Sequence, residues 1–395
     1  MGEHHRDSRY TLGTGVLTLT IDANRSGQEL FRVAERINPK RSFLFVSTVL
    51  GRHIPVRPRD HFAAVDGVVD QVPDRLLEGT VLVMGYAETA VGIGAAVARR
   101  ISRRRAGQPI WYQATTRHPV DRQAWAGFSE GHSHATDHHV MRLDASLLCG
   151  VPVTLVLVDD ETTTGSTFAA LIGALMEVGL TIRRVLLLTL TDWSGGQAVR
   201  AVSEAAPEVP VDAFSLMQGR WGWERDAAAV PPEVPVWPGS IRTPVWAPDR
   251  SGAPLMRAPR LAIRMEAADG LDRLVDRVRP ADRGKPVLVI GTGEHVWGPM
   301  LLAERLEQDG AEVRLVATTR SPILQGEVIQ HKLTFPDHFG LGVPMYLHNV
   351  PPRPEAHVII MTETDPNGIC PELRSHLGRG QIVDGAERVT EFGTT

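Results

Sequence analysis

Residues Val153 to Thr167 read VTLVLVDDETTTGST, and this stretch decides the fold of the chain. An apolar run rich in valine and leucine ends in Asp159 and Asp160, and a threonine-rich loop then leads into the apolar segment 168–178. Such a run is typical of a buried parallel strand. A strand that delivers acids and hydroxyls to the start of a helix is typical of an anion-and-sugar site.

The loop after this strand offers two kinds of ligand. Backbone N–H groups and hydroxyls near one turn can surround a phosphate, and the dipole of the following helix adds favourable potential. The phosphate candidates are Thr163, Thr164, Gly165, Ser166 and Thr167. The carboxylates of Asp159 and Asp160 are costly to bury unpaired, so we expect them to meet ribose hydroxyls, Mg²⁺ or both. A coincidental strand–turn–helix with an acid pair is the structural alternative.

Length, charge and cysteine content limit the class of protein. The chain has 395 residues, which predicts two or three domains. A net charge of −4 gives no general attraction to nucleic acid or to an anionic membrane. We find no secretory signal and no window apolar enough for a membrane span. With only two cysteines, the chain is expected to be cytoplasmic, with no nucleic-acid or membrane partner.

Strand-like and helix-like segments alternate along much of the chain, which predicts an α/β fold with a mostly parallel sheet. The strand candidates of the first half share apolar runs and cover 43–48, 81–84, 110–114, 153–158, 185–190 and 211–216. Helical patterns cover 28–37, 92–104 and 167–178.

Composition divides the chain into five segments. We predict an N-terminal arm at 1–18, an α/β domain at 19–225, a proline-rich linker or strap at 226–259, a smaller α/β domain at 260–380 and a mostly exposed tail at 381–395. Repeated proline excludes regular helix and central strand from the linker.

The two α/β domains repeat several motifs in one order. VLVMG at 81–85 returns as VLVIG at 287–291, and ATTRHP at 114–119 returns as ATTRSP at 317–322. We interpret the second domain as a degenerate copy of the first that lost the phosphate loop, with chance similarity as the alternative. The copy carries a candidate polar site of unknown ligand, for which a structural Arg–carboxylate network is the alternative: Glu294, Thr319, Arg320 and Ser321.

Residues 153–167 resemble the PRPP-binding signature of type I phosphoribosyltransferases, with Glu161 as a departure because that position is usually apolar. Together with GYAETAVGIG at 85–94, FLFVSTVLGRHIPV at 43–56 and TTRSP at 318–322, they resemble the phosphoribosyltransferases that carry a C-terminal TRSP domain. That family occurs in bacterial gene clusters associated with tellurium resistance and stress.

The resemblance implies a type I phosphoribosyltransferase-like sheet and a Mg²⁺-dependent transferase. Such an enzyme would move ribose 5-phosphate from PRPP to a small-molecule acceptor and release pyrophosphate. The acceptor is not implied, a homodimer is possible, and a PRPP-sensing or scaffold protein without catalysis is the alternative.

Roles can be assigned to the remaining candidates. Asp159, Asp160 and Arg117 are the catalytic candidates, and the two aspartates are also the candidate Mg²⁺ ligands, directly or through water. The pyrophosphate loop is expected at Gly85, Tyr86, Ala87, Glu88, Thr89 and Ala90. A plain strand–helix connection capped by Glu88 is its alternative.

A cover over the site is expected in the polar segment 117–136, because water that reached the reacting sugar would hydrolyse PRPP. Arg117 or Arg122 could clamp pyrophosphate, and His132 or His134 could act at the rim as acid, base or phosphate donor, with a solvated loop as the alternative. Asp192 and Trp193 are candidate acceptor contacts, although a tryptophan at a strand end often only packs.

Overall fold

The computed structural model describes residues 6–36, 38, 41–118, 124–129, 137–142, 150–229, 260, 263–265, 271–280 and 284–393. They form two compact units, neither of which is one continuous stretch. Unit 1 takes the described residues of 1–30, 62–230 and 259–266, and unit 2 takes those of 31–61, 231–258 and 267–395. The predicted boundaries were continuous ranges, whereas the compact units place residues 31–61 in unit 2.

The elements of both units are named here in chain order. The strands in the described residues are β1 (Arg6–Leu12), β2 (Gly15–Asn24), β3 (Phe31–Glu35), β4 (Phe43–Ser47), β5 (Val81–Gly85), β6 (Ile110–Ala114), β7 (Ala126–Ser129), β8 (Asp137–Val140), β9 (Val153–Thr162), β10 (Ile182–Asp192), β11 (Val211–Arg225), β12 (Ile263–Arg264), β13 (Val287–Gly291), β14 (Val313–Ala317), β15 (Lys332–Pro336), β16 (Pro344–His348), β17 (His357–Met361), β18 (Gly380–Val383) and β19 (Val389–Phe392). The α-helices are α1 (Pro58–Val69), α2 (Ala90–Arg104), α3 (Ser166–Glu177), α4 (Gln197–Ala205), α5 (Leu271–Val278), α6 (Trp297–Gln308) and α7 (Pro371–Leu377).

Unit 1 is built on an eight-stranded sheet in the order β1-β2-β11-β10-β9-β5-β6-β12. Its five central strands, β11 to β6 in that order, are parallel, and the strands at both edges are antiparallel. Residues 153–158 of β9 are buried along their whole length, as expected for a parallel strand covered on both faces. The prediction of an α/β fold with a mostly parallel sheet is confirmed.

Three expectations near the termini are corrected by the structure. The N-terminal arm contributes β1 and β2, which pair as a hairpin within the sheet. The helix predicted over 28–37 is wrong, because residues 31–35 form β3 and pair with the apolar strand β4, whose ladder overrides the helical pattern. The tail is not mostly exposed, since β18 and β19 complete a sheet and bury Ile382 and Val383.

Unit 2 holds a smaller sheet in the order β14-β13-β17-β18-β19, together with the hairpins β3–β4 and β15–β16. Its first four strands are parallel. The order β14-β13-β17-β18 repeats the order β6-β5-β9-β10 of unit 1. In both units a hairpin follows the parallel edge strand. The second strand of each hairpin bridges to the second threonine of the ATTR motif: His139 bridges to Thr116, and Tyr346 bridges to Thr319. This equivalence supports the interpretation of unit 2 as a copy of unit 1.

The edge strands β6 and β14 are covered in the same register by exchanged segments. Val56 bridges to Leu315 on β14, and Ile263 pairs with Tyr112 on β6, each two residues before the closing alanine. Val56 precedes the first parallel strand of unit 1 yet lies in unit 2, while Ile263 precedes that of unit 2 yet lies in unit 1. In each unit, the segment that covers the edge strand thus precedes the first parallel strand of the other unit in the sequence, and residues 51–56 are called the exchanged segment for this reason.

None of the helices within the described ranges is long and apolar enough to cross a membrane.

Candidate active site

The acid pair lies at the carboxyl end of β9 in unit 1. The strand was predicted to end at residue 158, but it continues to Thr162 because β10 pairs with it as far as Asp192. Asp159 and Asp160 therefore lie within the strand, just before its last paired residues Glu161 and Thr162, rather than in a loop. Oδ1 of Asp159 accepts the N–H of Asp160 at 2.9 Å, which holds the first carboxylate against the strand end.

Asp160 is the electrostatically perturbed member of the pair. Burial, together with the neighbouring Glu161 carboxylate, raises the pKa of Asp160 from its usual value to about 6, although hydrogen bonding to Asp159 and Thr89 opposes the rise. A carboxylate whose charged form is disfavoured by its surroundings is a candidate for binding a cation or a hydroxyl-rich ligand.

The predicted phosphate loop follows as a tight turn into α3. Gly165 has φ +78° and caps the helix, and a Cβ there would lie 2.4 Å from Cα of Ala198, so only glycine fits. The hydroxyls of Thr164 and Ser166 are 3.0 Å apart, and both side chains are exposed. The structure thus places Thr163 to Thr167 at the start of a 12-residue helix, an arrangement suited to an anion.

The predicted pyrophosphate loop connects β5 to α2, and its peptide bond between Ala87 and Glu88 is cis. Gly85 is again required, since a Cβ would lie 2.3 Å from the carbonyl oxygen of Ala90. The hydroxyl of Thr89 donates to Oδ1 of Asp160 at 2.9 Å, which brings this loop and the acid pair together. The helix begins at Ala90, and its cap Thr89 makes no side-chain capping bond.

One threonine after β6, Thr115, makes two hydrogen bonds to the same loop. The N–H of Thr115 donates to the carbonyl of Gly85 at 3.0 Å, and its hydroxyl accepts the N–H of Ala87 at 3.0 Å. Sequence reasoning did not assign Thr115 a role, although the repeated ATTR motif was its signal. Arg117 follows two residues later, partly exposed, at the same end of the sheet.

Of the segment predicted as a cover, residues 119–123 and 130–136 lie outside the described residues, while 126–129 form β7. The hairpin β7–β8 meets the pyrophosphate loop through aromatic rings. Phe128 and His138 stack at 4.9 Å, and Tyr86 contacts both edgewise as well as Phe168 on α3. Sequence reasoning gave no role to Phe128 or Phe168. His132, His134 and Arg122 lie outside the described residues.

The candidate acceptor contacts lie beside the phosphate loop. The N–H of Trp193 donates to the carbonyl of Thr162 at 2.8 Å, and Oδ1 of Asp192 accepts the N–H of Ser194 at 2.8 Å. The Trp193 side chain is buried against Gly219, where a Cβ would lie 2.9 Å from the indole. In this conformation Trp193 packs into the unit.

The second candidate site lies at the equivalent edge of unit 2. Glu294 and Thr319 are buried, while Arg320 and Ser321 are partly exposed. Arg52, from the exchanged segment, is buried and donates through Nη1 to the carbonyls of Gly293 at 2.6 Å and Thr318 at 2.8 Å. Sequence reasoning gave no role to Arg52, because the 241 residues between it and Gly293 hide the contact.

The carboxylates at the end of β9 suit Mg²⁺ that is bound together with a substrate. Across the described ranges, no cluster of three or more His, Cys, Asp or Glu side chains is arranged to hold a metal ion. Mg²⁺ at phosphate-transfer sites needs only one or two carboxylates, with substrate oxygens and water supplying the rest. Asp159 and Asp160 fit that smaller requirement.

Comparison with known proteins identifies both parts of the chain. A sequence profile described as "Phosphoribosyl transferase" matches residues 30–220, and one described as "TRSP domain C terminus to PRTase_2" matches residues 242–370. No curated protein sequence matches the chain.

Similar solved structures include two adenine phosphoribosyltransferases and an orotate phosphoribosyltransferase. The enzyme from Trypanosoma brucei is 13% identical, with a TM-score of 0.34 over 47% of this chain and 76% of its own. That from Rhodothermus marinus DSM 4252 is 17% identical, with a TM-score of 0.31 over 48% and 94%. The orotate enzyme from Aeropyrum pernix is 18% identical, with a TM-score of 0.28 over 48% and 88%. At these scores the structural likeness carries no argument of its own. By its two sequence matches, the chain belongs to the phosphoribosyl transferases in which the transferase domain is followed by a TRSP domain.

Proposed function

We propose that unit 1 transfers ribose 5-phosphate from PRPP to a small-molecule nucleophile and releases pyrophosphate. The single observation that carries this proposal is the bond between Thr89 and Asp160, because it brings the pyrophosphate loop to the acid end of β9. The phosphate loop follows directly from that end, so three parts of one activated sugar can be held together.

Each group of residues has a part in this reaction. Thr163 to Thr167 hold the 5′-phosphate at the start of α3. Asp159 and Asp160 hold the ribose hydroxyls, and their charge stabilises the positive charge that develops at C1 as pyrophosphate leaves. The loop at 85–90 receives the leaving pyrophosphate, and Arg117 adds a cation at the same edge.

Mg²⁺ bound at Asp159 and Asp160 would neutralise pyrophosphate and would offset the burial and the repulsion from Glu161 that together raise the pKa of Asp160. The hairpin β7–β8 would exclude water from C1 while the nucleophile attacks. We place the acceptor near Asp192 and Trp193, with His132 and His134 at its rim. A cytoplasmic location, and a homodimer as one assembly, remain part of this proposal.

The test is release of pyrophosphate from PRPP and Mg²⁺ with a panel of bases as acceptors. We expect turnover with at least one acceptor, and a loss of about 100-fold or more in Asp159→Asn and Asp160→Asn. Asp212→Asn is the matched control, because Asp212 lies near the amino end of β11 and pairs with Arg184 at 2.5 Å. Tight PRPP binding without turnover on any acceptor would favour a sensor or scaffold protein instead.

A further inference from the structure

A hydrogen-bonded relay in unit 1 runs from the cover hairpin to the pyrophosphate loop. Nδ1 of His138, on β8, lies 2.9 Å from the hydroxyl of Thr115, and that hydroxyl accepts the N–H of Ala87 at 3.0 Å. His138 is 1% exposed and Thr115 is fully buried, so water does not compete for either bond. The relay therefore fixes one backbone amide of the loop from a different part of the chain.

Which group donates in the bond between Thr115 and His138 follows from the Thr115 hydroxyl, which has two lone pairs and one hydrogen. Thr115 already accepts the Ala87 N–H, and within the described residues its hydroxyl hydrogen meets one acceptor, Nδ1 of His138. A buried hydroxyl that donated to nothing would cost free energy. His138 thus accepts at Nδ1, and the neutral imidazole carries its hydrogen on Nε2.

Aromatic contacts hold the imidazole in this orientation. His138 stacks on Phe128, with the two rings 4° from parallel. Tyr86 contacts His138 edgewise, with 6.0 Å between the two ring centres. Tyr86 also contacts Phe168 at 5.5 Å, at the start of the helix that follows the phosphate loop. The hairpin, the pyrophosphate loop and α3 therefore meet at one side chain.

Unit 2 supplies an internal comparison, because it keeps the threonine bond. The N–H of Gly293 donates to the hydroxyl of Thr318 at 2.8 Å, as Ala87 does to Thr115. The bridges of the two hairpins place Met345 at the position that His138 has in unit 1. A different histidine, His338, lies beside Gly293, with Cε1 3.0 Å from the Cβ position of that glycine. The threonine bond is therefore common to both units, whereas a histidine at the hairpin position of His138 is found in unit 1.

We propose that His138 is a positioning residue for pyrophosphate. It orients the Thr115 hydroxyl, which fixes the Ala87 amide and the loop that receives the leaving group. Because His138 lies on β8, the hairpin contributes to the position of the loop. This inference rests on the proposed function of unit 1 and extends it to the coupling between cover and loop.

Calorimetric binding of three ligands in the presence of Mg²⁺ tests the proposal: PRPP, pyrophosphate and ribose 5-phosphate. His138→Phe keeps an aromatic ring but removes the acceptor, and we expect about tenfold weaker binding of PRPP and pyrophosphate, equivalent to one hydrogen bond. Ribose 5-phosphate should bind within about twofold of wild type, because it does not use the loop. A purely structural role would weaken all three ligands.

Two further variants complete the design. His138→Asn offers an amide oxygen close to the position of Nδ1 and should restore pyrophosphate affinity to within about threefold of wild type. Thr318→Val removes the equivalent hydroxyl of unit 2 and should leave all three affinities unchanged, whereas Thr115→Val should match His138→Phe.

Unchanged pyrophosphate affinity in His138→Phe, equal loss for ribose 5-phosphate, or no rescue by asparagine would each overturn the inference. A wild-type protein that binds neither pyrophosphate nor ribose 5-phosphate would remove the proposed function, and this inference with it. A wild type that binds both, with His138→Phe unaffected, would remove the inference alone.

Discussion

The hydroxyl of Thr89 donates to Oδ1 of Asp160 across 2.9 Å, and this bond joins the end of β9 to the loop after β5. Neighbouring parallel strands bring their carboxyl ends to one edge, but they do not by themselves orient the side chains there. The bond fixes the Asp160 carboxylate relative to the amides of the pyrophosphate loop. Loss of this hydrogen bond should therefore lower the affinity for ligand more than it lowers the free energy of unfolding.

Thr89→Val tests this directly because valine keeps the shape and removes the hydroxyl. We expect the affinity for Mg²⁺ and PRPP to fall about tenfold, equivalent to the loss of one charged hydrogen bond. Calorimetry gives the affinity, and Thr89→Ser, which retains a hydroxyl, should stay within about threefold of wild type. Equal affinity in the valine and serine variants would contradict the role given to the bond.

Asp160→Asn should stabilise unit 1 at neutral pH while removing function. The pKa of Asp160 is raised to about 6 in the folded protein, so the folded state binds more protons than the unfolded state between about pH 4 and 6. The free energy of unfolding therefore falls as pH rises through that window, and the penalty is complete above it. Asparagine carries no charge and should add about 1–2 kcal/mol at pH 7.5, after allowance for solvent screening.

Thermal unfolding of Asp160→Asn and wild type at pH 7.5 and pH 4.5 checks this sign. The difference in stability should be present at pH 7.5 and shrink at pH 4.5. A variant that is less stable than wild type at both pH values would show that the charged Asp160 carboxylate does not destabilise the folded state.

The local chemistry of the site could be read from the sequence because each motif is contiguous. The run from Val153 to Thr167 contains strand, acids, loop and helix start in one stretch, so the continuous apolar run and the turn residues predict it directly. The loop at 85–90 was predicted for the same reason. The extension of β9 to Thr162 was missed because its last ladder bonds depend on β10.

Long-range partners could not be read in this way. Residues 31–35 carry a helical pattern but pair with β4, and residues 51–56 cover β14, more than 250 positions away in the chain. His138 is 23 positions from Thr115 in the sequence, and only the hairpin register brings the two side chains together. Pairing between distant segments decided these features, and no local pattern encodes it.

PRPP should bind to one site per chain although the fold is duplicated. In unit 2 the phosphate loop is replaced by 364–368, where the Asp365 side chain accepts the N–H of Asn367 at 3.0 Å and Pro366 has no N–H to offer. A negative side chain thus occupies the place where unit 1 presents donors. Calorimetric titration should give one PRPP per chain, and two equivalent sites would show that unit 2 retained phosphate binding.

Arg52→Met should destabilise unit 2, although Arg52 is 241 positions from its partner Gly293 in the sequence. The buried guanidinium donates to the carbonyls of Gly293 and Thr318, and methionine would leave these acceptors without that donor. We expect a loss of about 3 kcal/mol from two charged hydrogen bonds. Arg59→Met is the matched control, because Arg59 is 62% exposed and pairs with Glu307 at 3.6 Å; it should cost under about 1 kcal/mol.

Hydrogen exchange followed by mass spectrometry separates the two units in this comparison. Peptides from β13 and β14 should exchange faster in Arg52→Met and unchanged in Arg59→Met. Equal protection in both variants would mean that the exchanged segment is not needed to hold unit 2.

Acid should weaken unit 2 through two of its buried histidines, His53 and His348. His53 and His348 lie with ring centres 5.5 Å apart, and burial is the main cause that lowers both pKa values, that of His348 to about 3. Lys332 adds to the effect on His348. Because the unfolded chain takes up protons near pH 6.5, it binds more protons than the fold below that value. Stability is therefore complete above pH 6.5 and falls as pH decreases, by up to about 1.4 kcal/mol per pH unit for each imidazole.

His348→Phe separates this effect from the titration of other groups. Neither ring nitrogen of His348 has a hydrogen-bond partner within the described residues, so an apolar ring of similar shape removes the proton site without breaking a bond. Hydrogen exchange of β15 and β16 between pH 7 and pH 5, corrected for the intrinsic rate, should show a shallower loss of protection in the variant than in wild type. This range avoids the ordinary carboxylates, which titrate lower. The same loss in both proteins would assign the acid sensitivity to other groups, His53 included.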